Sequence, residues 1–141
     1  MITPFQAPKE LLSIAGISLI LALVLMTLPV SAADDTTRPN LVFNGSTAPT
    51  LSGTVTFTSH ASDLSGIEQM GINFHDPKTH AFKKNCGSVR ALGAAPSHVF
   101  TCTFDTTKLP NGQYEVRAGA HDAAGNVRTS SEWVTILNEV E

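Results

Sequence analysis

The chain has 141 residues, with 9 Lys+Arg against 12 Asp+Glu and a formal net charge of −3 when its five histidines are neutral. A mildly acidic balance offers no basic face to meet phosphates, so nucleic acid is not an expected partner. The part beyond the apolar leader, about 108 residues, has the size of one ordinary domain.

The leader comes first. After a start whose basic side chain is Lys9, residues Leu11 to Ala33 read LLSIAGISLILALVLMTLPVSAA and carry no charge. A charged start, an apolar run and small residues at its end have the layout of a secretory signal peptide. Ser31-Ala32-Ala33 offers a cleavage site, followed at once by Asp34-Asp35. The run also reaches the roughly 20 residues that a spanning helix needs, so an uncleaved anchor is the alternative. The expected division is therefore an N-terminal apolar signal helix over 1–33 and a folded domain over 34–141. A membrane is a partner only if the leader stays attached.

Past the leader, short alternating runs are separated by turn residues, which predicts an all-β fold. Asn40 to Phe43 is the first expected strand. Thr54 to Ser62 is the clearest, with Val55, Phe57, Ser59 and Ala61 on one face and Thr54, Thr56, Thr58 and His60 on the other. A break at DLSG precedes Ile67 to Phe74, and a turn at HDPKTH leads to a short edge strand, Ala81 to Cys86. Lys83 and Lys84 discourage further pairing there. A looser stretch, GSVRALGAAPSH, comes before Val99 to Phe104, which puts Phe100, Cys102 and Phe104 on one face. Tyr114 to His121 sets Tyr114, Val116, Ala118 and Ala120 against Glu115, Arg117, Gly119 and His121, and Thr129 to Leu137 ends the series. Six or seven such strands require two sheets facing each other across a core.

Cys86 and Cys102 are the only cysteines. Both follow the leader, and an even number outside the cytoplasm favours a disulfide. Closing a loop of about fifteen residues is worth roughly 3 kcal/mol in the chain-entropy model.

The stretch FDTTKLPNGQYEVRAGAHDAAGN resembles the end of the bacterial Ig-like domains strung along exported hydrolases, adhesins and other surface proteins. The shared pattern is an aromatic, Asp-Thr-Thr, then Leu-Pro-Asn-Gly, a Tyr, and an Ala-rich strand ending in Asp-x-x-Gly-Asn. DDTTRPN is similar to the usual opening, with Arg38 in place of a proline, and LSGTVTFTSHASDLSGIEQMGINF is similar to the second and third strands. The segment from His75 to His98 is longer than the family pattern and contains Cys86. The resemblance implies an Ig-like antiparallel β-sandwich of about seven strands and a spacer or binding role, without a catalytic site. Independently, Pro110 and Asn111-Gly112 make a turn with a physical basis, and Tyr114 follows where sandwiches carry a tyrosine corner. Pro110, Gly112 and Tyr114 are therefore expected to be structural.

In an Ig-like order the second and sixth strands run toward the same end. Alternation then gives Asp63 and Asp122 inward parity at one rim, with Asp34, Asp35 and Asn126 beside them. Converging oxygens are what Ca²⁺ requires, and these five residues are the candidate metal ligands. The competing reading is a set of Asx-turns before Gly66 and Gly125, needing no metal or other cofactor. His60, His75, His80, His98 and His121 show no paired-ligand spacing and are expected to be exposed and unconnected. No GxSxG elbow is present, and Ser59-His60 and Ser97-His98 point to opposite faces. The expected function is an exported, non-catalytic module, secreted, periplasmic or at the cell surface, that acts as a spacer or binds a protein or glycan. The alternatives are a small carbohydrate-binding module and an inhibitor or accessory protein. The first needs exposed aromatics in a row, a thin supply here that an inward Trp133 would count against. The second is favoured by an ordered, exposed loop between Cys86 and Cys102.

Overall fold

A computed structural model describes residues 35–46, 48 and 50–139. The leader and Asp34 lie outside the described residues, as do the readings made on them. Seven strands follow one another: β1 (Asn40–Asn44), β2 (Thr50–Leu51), β3 (Thr54–His75), β4 (Phe82–Val89), β5 (Ala95–Asp105), β6 (Gly112–Asp122) and β7 (Val127–Ile136). A single 3₁₀ turn, Thr106–Lys108, links β5 to β6, with the Asp105 carboxylate accepting from the Thr107 amide at its start.

The organising element is β3, which has 22 residues and changes partners midway. Its first half pairs with β1 on one side and β5 on the other, from Thr54↔Asp105 to Ser62↔Ser97. Its second half pairs with β6, from Ile67↔Asp122 to His75↔Glu115, and with β4 on its other side. The expected break at DLSG is thus a change of partner inside continuous extended chain. Gly66 makes the crossing possible: its φ is +90°, and a Cβ there would overlap the Ala94 carbonyl. Both demands exclude a side chain.

Beyond β6 come β7, antiparallel, and then β2, which pairs with β7 in parallel. The arrangement is therefore mixed, correcting the expectation of purely antiparallel pairing. β2 is only two residues long, too short to show alternation in the sequence. β4 and β5 also extend further than expected, into Val89 and back to Ala95. Small residues at Gly87 and Ser88 hide that part of the pattern.

The two halves of β3 turn their apolar faces toward each other, giving a sandwich-like body. Phe57 and Phe74 meet edge to face with centroids 5.7 Å apart, and Phe74 also contacts Phe104 and Tyr114. Such aromatic pairs add about 0.5–1.5 kcal/mol beyond the area they bury. Ile72, Val116, Ala118 and Ile136 complete this core, and Ala61, Ile67, Met70 and Ala120 form a smaller cluster. The inward faces predicted for β3, β5 and β6 are the ones observed. The Cys86–Cys102 disulfide is formed, tying β4 to β5 along one side. The Tyr114 hydroxyl donates to the Pro110 carbonyl at 2.9 Å, closing the expected tyrosine corner. Gly112 has a φ of +151° at the start of β6.

Candidate functional site

Two places on the body gather polar side chains. The first is the rim at the ends of β6 and the first half of β3. Asp35, Asp63 and Asp122 each present a carboxylate oxygen there, all within 4.8 Å of one another. The shared parity of Asp63 and Asp122 therefore does bring them together, with Asp35 from the entry to β1.

Each of the three also has a partner supplied by the chain. Asp63 Oδ1 accepts from the Ser65 amide at 2.8 Å and its hydroxyl at 2.7 Å. Asp35 Oδ1 accepts from the Thr37 amide at 2.8 Å, and that bond lowers its pKa. Asp122 is buried, and Asn126 donates its amide to Oδ1 at 2.7 Å and its Nδ2 to Oδ2 at 2.9 Å. The same Nδ2 donates to the Asp35 carbonyl at 2.9 Å, so Asn126 stitches the entry strand to the β6–β7 turn. Asp63 makes the expected bond to the amide two residues on, Asp122 instead reaches the amide four residues on, and the three carboxylates converge. Among the described residues none of the three carboxylates is in an ion pair. The donors are all oxygen, the set a hard cation such as Ca²⁺ takes, although 6–8 ligands would be needed. Glycoside hydrolysis by Asp63 and Asp122 does not fit, because Asp122 is 3% exposed and both its oxygens are engaged by Asn126.

The second place is the outer face of the sheet formed by β4, the second half of β3, β6 and β7. Cross-strand partners share a face, so the register writes this surface out row by row. One row is Phe82, His75, Glu115 and Trp133. Asn73, Arg117 and Ser131 form the next, followed by Gly71, Gly119 and Thr129. A trough of about 220 Å³ lies over these rows, lined by Gln69, Gly71, Asn73, His75, Arg117, Gly119, His121, Val127 and Thr129. Trp133 and Phe82 are each 60% exposed. Trp133 thus points outward, as a carbohydrate-binding surface requires.

Glu115 departs from expectation. Parity places it outward, yet it is only 4% exposed. The Asp76–Ala81 loop explains this. Asp76 caps the loop by accepting from the Lys78 and Thr79 amides, which lowers its pKa, and the chain turns back to place His80 at a φ of +57°. His80 Nδ1 then lies 2.6 Å from Glu115 Oε2, while Arg117 donates to both carboxylate oxygens at 3.0 Å. Burial pushes the Glu115 pKa up, but hydrogen bonds from His80, Arg117 and Ser131 outweigh it and hold the carboxyl at about 2. The expectation that every histidine stands unconnected is corrected here for His80, and His75 Nδ1 also lies 3.0 Å from the His80 carbonyl. The outward positions of β6 were readable from alternation alone. Gln69, Gly71 and Asn73 were not singled out, because only the β3–β6 register sets them beside Arg117, Gly119 and His121.

Ser59 is buried with its Oγ unpartnered, and His60 is exposed on the opposite face. The strand geometry therefore forms no dyad from that pair. Among the described residues no helix is long and apolar enough to cross a membrane.

No protein-family model matches the chain, and no curated protein matches it. Among solved structures, the superoxide reductase (neelaredoxin) from Ignicoccus hospitalis aligns with a TM-score of 0.42 and 10% identity, covering 72% of this chain and 81% of its own. A point variant of the same protein aligns with a TM-score of 0.40 and 10% identity, over 71% of this chain and 80% of that one. A likeness this distant carries neither activity nor metal to the present chain.

Proposed function

We propose that this protein is an exported, non-catalytic Ig-like module that binds a glycan or protein in the periplasm or at a bacterial surface. The observation that carries the reading is the outer face of the β4–β3–β6–β7 sheet, where a trough lined by polar side chains shares its face with the outward Trp133 and Phe82. Further support comes from the fold. The partner change in β3 sets β1–β3–β5 against β2–β7–β6–β3–β4, and the tyrosine corner at Tyr114 supports the Ig-like reading. The disulfide suits an oxidising compartment, which agrees with the apolar leader. Neither metal nor cofactor is needed in this reading.

The test is to express the full chain for export and measure its compartment and its binding to envelope polysaccharides and envelope proteins. Saturable binding by an exported, disulfide-bonded chain that leaves its ligand chemically unchanged is the expected result. Retention in the cytoplasm, or turnover of the ligand, would contradict it.

A second reading, an inhibitor or accessory protein, is favoured by the loop between the cysteines. Arg90 to Ala94 is tied to β3 by amides of Leu92 and Ala94 bonding to the Glu68 carbonyl and carboxylate. Ala91 and Ala94 sit there at φ values of +56° and +54°. An ordered loop in this strained conformation can present side chains to another protein. Capture of an envelope protein that Arg90→Glu abolishes would select this reading over the first.

A further inference from the structure

We infer that the trough on the outer face of the β4–β3–β6–β7 sheet is a binding site for one ring of an uncharged glycan; this rests on the binding-module reading and names its ligand. The argument begins with shape. Gly71 and Gly119 are directly paired and both face outward, so the centre of the sheet has no side chains and forms a floor. The trough of about 220 Å³ is smaller than the roughly 300–1,000 Å³ of pockets for drug-sized ligands, which suits a single ring of a longer chain lying across the face.

Hydrogen bonding gives the second part. Gln69, Asn73, His121 and Thr129 surround that floor with amide, imidazole and hydroxyl groups. Among the described residues, none of these four side chains has an intramolecular hydrogen-bond partner. Planar amides and an imidazole offer donor and acceptor together, which matches hydroxyls that also donate and accept.

Charge gives the third. The one permanent cation lining the trough, Arg117, is paired with Glu115, its Nη2 donating to both carboxylate oxygens at 3.0 Å. Phosphate or sulfate would have to approach that guanidinium beside the Glu115 carboxylate, so like-charge repulsion disfavours an anionic ligand and leaves a neutral polyol untouched. The aromatics complete the set. Trp133 and Phe82 stand in the same cross-strand row as His75, at one end of the trough, and their exposed rings offer surfaces to the apolar C–H face of a sugar.

The chain has one tryptophan, so its emission reports on this end of the trough alone. The experiment titrates the full-length protein with neutral trisaccharides of glucose, xylose, mannose and N-acetylglucosamine, with trigalacturonate as the anionic comparator. Trp133 emission and calorimetry are the readouts. A Cβ at Gly119 would meet its nearest neighbour, Thr129 Cγ2, at 3.8 Å, so Gly119→Val fills the floor without forcing the backbone. The expected result is a saturable emission change with at least one neutral trisaccharide and none with trigalacturonate. Gly119→Val and Trp133→Ala should each weaken that binding at least tenfold while the melting temperature and disulfide are retained. The inference is overturned if no neutral sugar binds, or if binding survives both substitutions. Capture of an envelope protein unaffected by either substitution would keep the binding-module reading and remove the sugar site. Conversion of a sugar to product would remove both.

Discussion

Asp122 and Glu115 lie on the same strand, β6, and both are almost fully buried, yet their surroundings are opposite in sign. Asp122 sits with two other carboxylates within 4.8 Å and is satisfied by the neutral amides of Asn126. Glu115 sits on the other face, satisfied by a guanidinium and an imidazole. Burial alone therefore says little about what a carboxylate does. Dipoles from its own turn make Asp122 the lock of a loop, at the cost of leaving negative charge concentrated at the rim. Contacts from the His80 ring and the Arg117 guanidinium make Glu115 the clamp that fixes the Asp76–Ala81 loop and pairs Arg117 beside the trough.

The largest effect calibrates the comparison without touching either carboxylate. Removing the disulfide with Cys86→Ala and Cys102→Ala should cost roughly 3 kcal/mol, read by urea denaturation. The bridge joins β4 to β5, remote from the Asn126 turn, so the Asp122 amide contacts should persist in the folded fraction.

Next is the clamp. Glu115→Ala leaves Arg117 and His80 without their carboxylate. Since the Arg117 guanidinium and the His80 ring can both reach water, the cost should be about 2 kcal/mol, below the roughly 3–5 kcal/mol of a wholly buried pair. Its pH dependence separates it from Asp122. The Glu115 carboxyl falls from an ordinary value of 4.5 to about 2 on folding, so the unfolded chain takes up its proton first as pH drops. Its stabilisation is complete above pH 4.5 and is lost as pH falls toward 2. The gap in melting temperature between wild type and Glu115→Ala should accordingly be widest above pH 4.5 and close on acidification. An unchanged gap would mean that the clamp acts by packing.

Asp122→Asn should cost less, about 1–2 kcal/mol. It keeps one acceptor for the Asn126 amide and loses the other, while relieving repulsion from Asp35 and Asp63. Thermal melts with and without millimolar Ca²⁺ sharpen this. If the turns alone organise the rim, calcium leaves the melting temperature of both proteins unchanged. A calcium-dependent rise in wild type that Asp122→Asn abolishes would assign the rim to a cation. The smallest effect belongs to Ser59, whose buried hydroxyl has no hydrogen-bond partner among the described residues. Ser59→Ala should leave stability unchanged or raise it by up to about 1 kcal/mol, since no hydrogen bond is lost with the hydroxyl.

The two regions were not equally legible in the sequence. The rim was, because period-2 alternation gives Asp63 and Asp122 inward parity, while the strand order implied by the Ig-like resemblance brings them to the same end. Asp35 followed from its position before β1. The trough was half legible. Alternation put Glu115, Arg117, Gly119 and His121 on one face of β6, but their meeting with Gln69, Gly71 and Asn73 depends on register, which is a property of two strands. The burial of Glu115 was not legible at all, since it depends on how the Asp76–Ala81 loop places His80 above it. β2 escaped for a related reason: two residues have no period, and its pairing with β7 joins segments more than eighty residues apart.

The central claim is that this module binds through the face that carries the clamp and leaves the acidic rim to hold turns. Backbone amide NMR of the isotope-labelled chain, titrated with the neutral trisaccharide that binds best, tests it directly. The account predicts shift changes confined to Gln69, Asn73, Arg117, Gly119, His121 and Thr129, together with the Trp133 indole, and an unaltered sugar spectrum. Changes centred on Asp35, Asp63 and Asp122, or the appearance of product signals, would contradict it.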